Sequence, residues 1–131
     1  MSTKIITFEA EGNFDNTRNF LKAFKAAQMR ILLNQYGQKI VAMLESATPK
    51  RTGATASSWY YNVVGDAEKV ALEIHNSNMG SDGKTPVAIL IQMGHGTRTG
   101  GYVPAIDYIN PAVKPLFDEL EEKIMGAVKS L

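Results

Sequence analysis

Residues 57–77 read SSWYYNVVGDAEKVALEIHNS, and this stretch decides the fold class. Trp59, Tyr61 and Val63 alternate along one segment, and Val70, Leu72 and Ile74 alternate along the next, with Gly65-Asp66 between them. A period of two in aromatic and branched residues around a turn signal predicts a β-hairpin. Helical patterns flank it on both sides. The expected fold is α+β: a long N-terminal helix and a C-terminal helix packed on a small antiparallel β-sheet, with a short helix between.

Upstream, from Asp15 or Thr17 to Ser46, the chain has no proline and a single glycine, Gly37, and is rich in Leu, Ala, Lys, Gln and Met. That composition predicts one long helix. At about 100° per residue its apolar residues fall into two sectors. Phe20, Phe24, Ala27 and Ile31 share one, while Met29, Leu32, Leu33, Tyr36, Ile40, Met43 and Leu44 share the other. A bend near Gly37 or cover from the same domain on two sides would account for this, and so would a second subunit against the N-terminal half. Arg18, Lys22 and Lys25 lie away from Phe20 as a small basic strip, by default a solvated face. Before the helix, residues 1–16 form an arm or strand in which Ile6, Phe8 and Ala10 alternate with Thr7, Glu9 and Glu11.

Downstream, residues 48–56 form a basic loop containing Pro49 and Gly53, and residues 76–85 form a polar loop expected to be mobile. Thr85 and Pro86 read as N-cap and first position of a short helix through VAILIQM that stops at Gly94, although a short apolar run also fits a buried strand. Residues 94–104, GHGTRTGGYVP, form the third loop. Asn110 and Pro111 then open a second long helix with one apolar stripe, Val113, Phe117, Leu120, Ile124, Val128 and Leu131. Asp118, Glu119, Glu121 and Glu122 crowd its outer side.

The chain has 131 residues, within the range of one domain. Fourteen Lys+Arg against thirteen Asp+Glu leave a net charge of +1, so no global basic field draws nucleic acid. Absence of cysteine excludes disulfides, thiolate metal sites and cysteine nucleophiles. The first residues lack the apolar core of a signal peptide, and no window reaches the length of a membrane span, so a soluble, non-exported protein is expected.

Chemical readings of the motifs are weak. His75 falls on the polar face of a strand and is expected at the surface. His95 sits among glycines without an accompanying Ser or carboxylate in a recognisable triad. Two histidines without HxH or HExxH spacing do not suggest a metal site. GHGTRTGG matches neither phosphate-loop pattern, and its glycines read as permission to turn. Trp59, Tyr60 and Tyr61 could stack on bases but read first as hairpin core and edge. No catalytic, cofactor or metal residue is assigned, and the three loops suggest a protein whose business is contact.

The order of the motifs adds to this. A long helix, then ATPKRTGATASSW, a hairpin, AILIQMGHGT, and VPAIDYINPAV entering a last helix resemble the HK97-type neck and tail-completion (head-tail joining) proteins of tailed phages. The likeness covers residues 17–130 and rests on Thr48, Pro49, Thr52, Gly53, Ser57 and Ser58, on the apolar segment ending at Gly94, and on Pro104, Ile109, Pro111 and Ala112. The chain departs from that pattern in having Gln92 and Met93 where the family has a glutamate and an aromatic residue. The resemblance implies a non-enzymatic subunit, without cofactor, that forms a hexameric ring with itself. The ring would join the head-completion or connector protein to a tail terminator or tail tube protein, with DNA passing through its lumen. It would assemble in the host cytoplasm and end in the virion, with no membrane partner. A defective prophage or phage-tail-like particle could use the same part. Arg51, His95, Arg98 and Tyr102 are the expected subunit or partner contacts, and Arg18, Lys22 and Lys25 line the lumen or meet a partner. The alternatives are a tail terminator or minor tail subunit and, from another class, a small nucleic-acid-binding module using Arg18, Lys22, Lys25, Lys50, Arg51 and Arg98.

Overall fold

The computed structural model describes residues 3–11, 19–49, 53–65, 69–96 and 100–129, with the backbone alone at 10–11, 19–26 and 127–129. Strand β1 (Lys4–Glu11) is followed by helix α1 (Asn19–Ala47), a 3-10 turn (Ala56–Ser58), β2 (Trp59–Gly65), β3 (Lys69–Asn76) and helix α2 (Val87–Met93). Two short strands, β4 (His95–Gly96) and β5 (Tyr102–Val103), precede helix α3 (Ile109–Lys129). The fold is α+β, with two long helices, a short one and a small antiparallel sheet.

The sheet runs β1-β3-β2, with β3 in the centre and antiparallel to both neighbours. The hairpin register sets Tyr61 opposite Ile74 and Val63 opposite Leu72. β1 sets Phe8 opposite Leu72 and Ile6 opposite Ile74. Val70, Leu72 and Ile74 therefore project from the central strand into the core, as the period of two requires. The register of β1 shifts between Lys4 and Ile6, and Ile5 and Ile6 are both half-buried.

The helices cover one face of this sheet. Leu33, Tyr36, Ile40 and Leu44 of α1 are fully buried against it, and Val113 and Leu120 of α3 are buried beside them. The ring of Phe8 meets Phe117 at 5.5 Å, joining β1 to α3. Tyr36 donates its hydroxyl to Glu119 at 2.7 Å, joining the two long helices. All four acids expected on the outer side of α3 are exposed, but one of them, Glu119, reaches the Tyr36 hydroxyl of α1. The core sector of α1 is the one the spacing indicates, except that Met43 is exposed. Ile31, in the opposite sector, is 60% exposed and Ala27 beside it is exposed, so the described residues do not bury the described part of that sector. Phe20 and Phe24 have side chains outside the described residues.

The end of α1 is built by a side chain. Thr48 donates both its amide and its hydroxyl to the Leu44 carbonyl, and Pro49 follows, so the helix cannot continue. The buried indole of Trp59 donates to Thr48 Oγ1 at 2.8 Å, which ties the first hairpin strand to the helix end. The 76–85 loop is more ordered than its composition suggests. Asp82 accepts the amides of Lys84 and Thr85 at 2.9 Å each and the Thr85 hydroxyl at 2.9 Å, and Met79 bridges to Pro86. Thr85 is thereby occupied with Asp82, and Pro86 holds the cap position ahead of Val87, one residue later than the expected Thr85 cap.

Candidate assembly surface

The described residues among 93–108 join the end of α2, the β4-β5 ribbon and the start of α3. Helix α2 stops at Gly94, whose amide donates to the Leu90 carbonyl at 2.9 Å and whose φ of 77° is one that side-chain-bearing residues rarely adopt. A Cβ there would meet the Val103 carbonyl oxygen and the Ala105 nitrogen at 2.8 Å, so glycine is also required by close approach. The chain after it is not an open loop. His95 pairs with Val103 and Gly96 with Tyr102 in a two-stranded ribbon, and the return segment is fixed by Ile106 donating to Ile91 at 3.0 Å.

The entry into α3 differs from the expected Asn110 cap. The helix begins at Ile109, and the Tyr108 carbonyl accepts the first intrahelical bond from Ala112. Gln92 of α2 supplies the cap: its Oε1 accepts the amides of Tyr108 and Ile109 at 3.0 and 2.9 Å, and its Nε2 donates to Asp107 at 2.8 Å. Pro111 has no amide, so the first turn of α3 leaves three N–H groups without intrahelical partners, and one side chain from another helix satisfies two of them. Pro111 lies exposed in the first turn.

This surface presents apolar groups to solvent. Met93 is 68% exposed, Tyr102 66% and Ile106 47%. The Tyr102 hydroxyl reaches the Met93 carbonyl at 3.5 Å, so the two belong to one patch. His95 is half-buried beside the Leu90 carbonyl, with 3.4 Å from its Nδ1, and Pro104 is exposed. Of the expected contact residues, His95 and Tyr102 therefore share the ribbon. Arg51 and Arg98 lie outside the described residues, as do Arg18 and Thr52, and Lys22 and Lys25 sit on α1 with side chains outside them. Gly53 has φ of 82°. The sequence marks Met93 only as a departure from the family pattern and does not mark Ile106, although two apolar residues beside a glycine stop and a proline are a usable signal.

A second polar cluster lies on the sheet face away from the helices. Thr3 Oγ1 is 2.7 Å from Tyr60 Oη and 2.8 Å from His75 Nδ1, and His75 Nε2 is 3.2 Å from Glu73 Oε1. Tyr60 stacks on the imidazole at 4.9 Å. His75 is consequently only 9% exposed, where a strand's polar face suggested a surface residue. Thr3 also accepts the Asn76 amide through its carbonyl, so this cluster fastens the start of β1 to β3. Lys4 pairs with Glu73 at 3.6 Å, and Lys69 with Glu9 at 3.3 Å, on the same face.

Electrostatic perturbation is concentrated away from the patch. Burial, then the hydrogen bond and charge of Glu119, push the Tyr36 phenol up to about 12. Burial pushes Tyr108 up to about 12 as well, its hydroxyl donating to the Ala88 carbonyl at 2.9 Å. The amides of Thr85 and Lys84 hold the Asp82 carboxyl below its ordinary range. Among the described residues no three His, Asp or Glu side chains converge as a metal site would need, and no helix is long and apolar enough to cross a membrane. No family model matches this chain, and no curated protein or solved structure shows significant similarity to it.

Proposed function

We propose that this chain is a structural virion subunit of a tailed phage, prophage or phage-tail-like particle. It forms a ring with copies of itself at the head-tail junction or head-proximal tail end, joining connector to tail. One observation carries the reading: two exposed apolar faces lie apart on the same chain. The Met93, Tyr102 and Ile106 patch is one, and Ile31 with Ala27 on α1 is the other. Ile31 is separated along α1 from Thr48, beside which Tyr108 lies, by about 25 Å of helix rise. A head-to-tail ring requires two different faces on each subunit, and clustered exposed apolar side chains mark contact surfaces. The order of sequence motifs supplies the place of the ring in the particle. No catalytic role is assigned to His95.

The test is the mass of the purified protein, alone and with connector and tail proteins, by sedimentation and native mass spectrometry. Wild type is expected to form a closed oligomer, alone or on the connector, and Met93→Ser with Tyr102→Ser is expected to leave a folded monomer. Particles that join heads to tails without this chain would overturn the reading. Tight DNA binding that weakens steeply with salt would favour the nucleic-acid module instead.

A further inference from the structure

We infer that Gln92 is the positioning residue of this surface, an inference that rests on the assembly reading. The residues that would meet a second copy, Met93, Tyr102 and Ile106, all lie between Gln92 and the α3 entry that Gln92 caps. Its side chain spans the base of the connection. On one side it belongs to α2, and on the other it grips Asp107, Tyr108 and Ile109 at once. The Ile106 to Ile91 bond and the Gly94 to Leu90 bond fix the same base from the backbone. A connection held at its root offers its apolar groups in one arrangement, and docking then costs less ordering. An amide suits this place because it accepts two backbone N–H groups through its oxygen and donates to Asp107 through its nitrogen. A carboxylate could accept the two amides but would face the Asp107 carboxylate with no proton to offer.

The polarity of the pair can be reversed without changing its shape, which gives the test. Gln92→Glu places two carboxylates together, and Asp107→Asn in the same chain restores a donor, now from residue 107 to residue 92. Hydrogen exchange of the Tyr108 and Ile109 amides reads the positioning directly, and the self-association constant reads its consequence. For Gln92→Glu, exchange at these amides is expected to rise and self-association to weaken, each roughly tenfold, the worth of about one strong hydrogen bond. Adding Asp107→Asn is expected to bring both back to within about threefold of wild type. Gln92→Leu should lose both and gain nothing from Asp107→Asn. Unchanged exchange in Gln92→Glu and Gln92→Leu, or no rescue by Asp107→Asn, would overturn the role of Gln92 whatever the oligomer. Faster exchange with unchanged self-association would keep Gln92 as the anchor of the α3 entry but refute its role in assembly. A wild type that never associates, alone or with connector and tail proteins, would sink the ring reading and with it that role, while exchange still reports on the cap.

Discussion

The ring of Tyr61 rests on the backbone of Gly37. A Cβ at residue 37 would lie 2.7 Å from both Cγ and Cε2 of that ring, closer than carbon atoms approach. The one glycine of α1 is therefore where β2 meets the helix, and the hydroxyl of Tyr61 continues to Asn34 at 3.3 Å.

Replacing Gly37 by alanine pits two effects against each other. Helix propensity favours alanine by about 1 kcal/mol. The clash reaches the root of the ring, which cannot swing aside like a flexible tip, and overpacking costs about 1–3 kcal/mol. Net destabilisation is expected in Gly37→Ala by chemical denaturation. In a Tyr61→Ala background the same change should become stabilising, and a sign that does not reverse would refute the contact.

Tyr36 and Tyr108 predict an alkaline transition. Both phenols titrate near 10 when unfolded and are pushed to about 12 in the fold, so the protonated form is the one the fold favours. Their contribution is complete below pH 10 and is lost as pH rises from 10 toward 12. Tyr36→Phe is expected to cost about 1 kcal/mol at pH 7 through the lost Glu119 bond. It should also flatten the fall of stability with pH in that window, and Tyr36→Phe with Tyr108→Phe should flatten it further. Equal slopes for wild type and the double variant would contradict the burial of these hydroxyls.

Much of the fold was legible because it is written in local periods. The alternation of Trp59, Tyr61 and Val63 with that of Val70, Leu72 and Ile74 gave the hairpin, and the stripe of Val113 and Leu120 gave the core face of α3. The two sectors of α1 were also visible: Leu33, Tyr36, Ile40 and Leu44 of one are buried in the core, while Ile31 of the other is exposed. What escaped depends on side chains meeting across long separations. Nothing in a local window pairs Gln92 with Tyr108 and Ile109, Trp59 with Thr48, or Thr3 with His75. The same limit hid the exposed apolar groups of the candidate surface: Met93 belongs to an apolar helix and Ile106 to a loop, and only folding brings the Tyr102 hydroxyl to the Met93 carbonyl and ties Ile106 to Ile91.

Asp82 predicts an acid-sensitive turn. Its carboxyl is held below the ordinary range by the amides of Thr85 and Lys84, so the stabilisation is present above the unfolded carboxylate value and is lost as pH falls through the lower folded one. Asp82→Ala should be less stable than wild type at pH 7, with faster exchange at Lys84 and Thr85. The gap should close as pH drops below about 4, where the unfolded carboxyl gains its proton. Because Val87 donates to the Asn78 carbonyl at the end of this loop, fraying should spread into the first turn of α2. A gap that persists unchanged into acid would show that the turn does not depend on the ionised carboxyl.

Gly94 and Gly100 separate strain from collision in the candidate assembly surface. Both have positive φ, 77° and 84°, and alanine at either costs about 1–2 kcal/mol of backbone strain. Around Gly100 a new Cβ meets none of the described residues within 4 Å, whereas around Gly94 it meets the Ala105 nitrogen and the Val103 carbonyl, backbone atoms that move only if the ribbon moves. Gly100→Ala is expected to be mildly destabilised and to self-associate as wild type does. Gly94→Ala should lose about 1–3 kcal/mol more and should disturb Tyr102, whose hydroxyl a Cβ at 94 would crowd. Thermal melts of the two variants measure the stability difference, and sedimentation measures the loss of association. If both variants melt alike, Val103 and Ala105 do not pack on Gly94. If Gly94→Ala melts lower yet associates normally, the ribbon is not the surface by which copies of this chain meet.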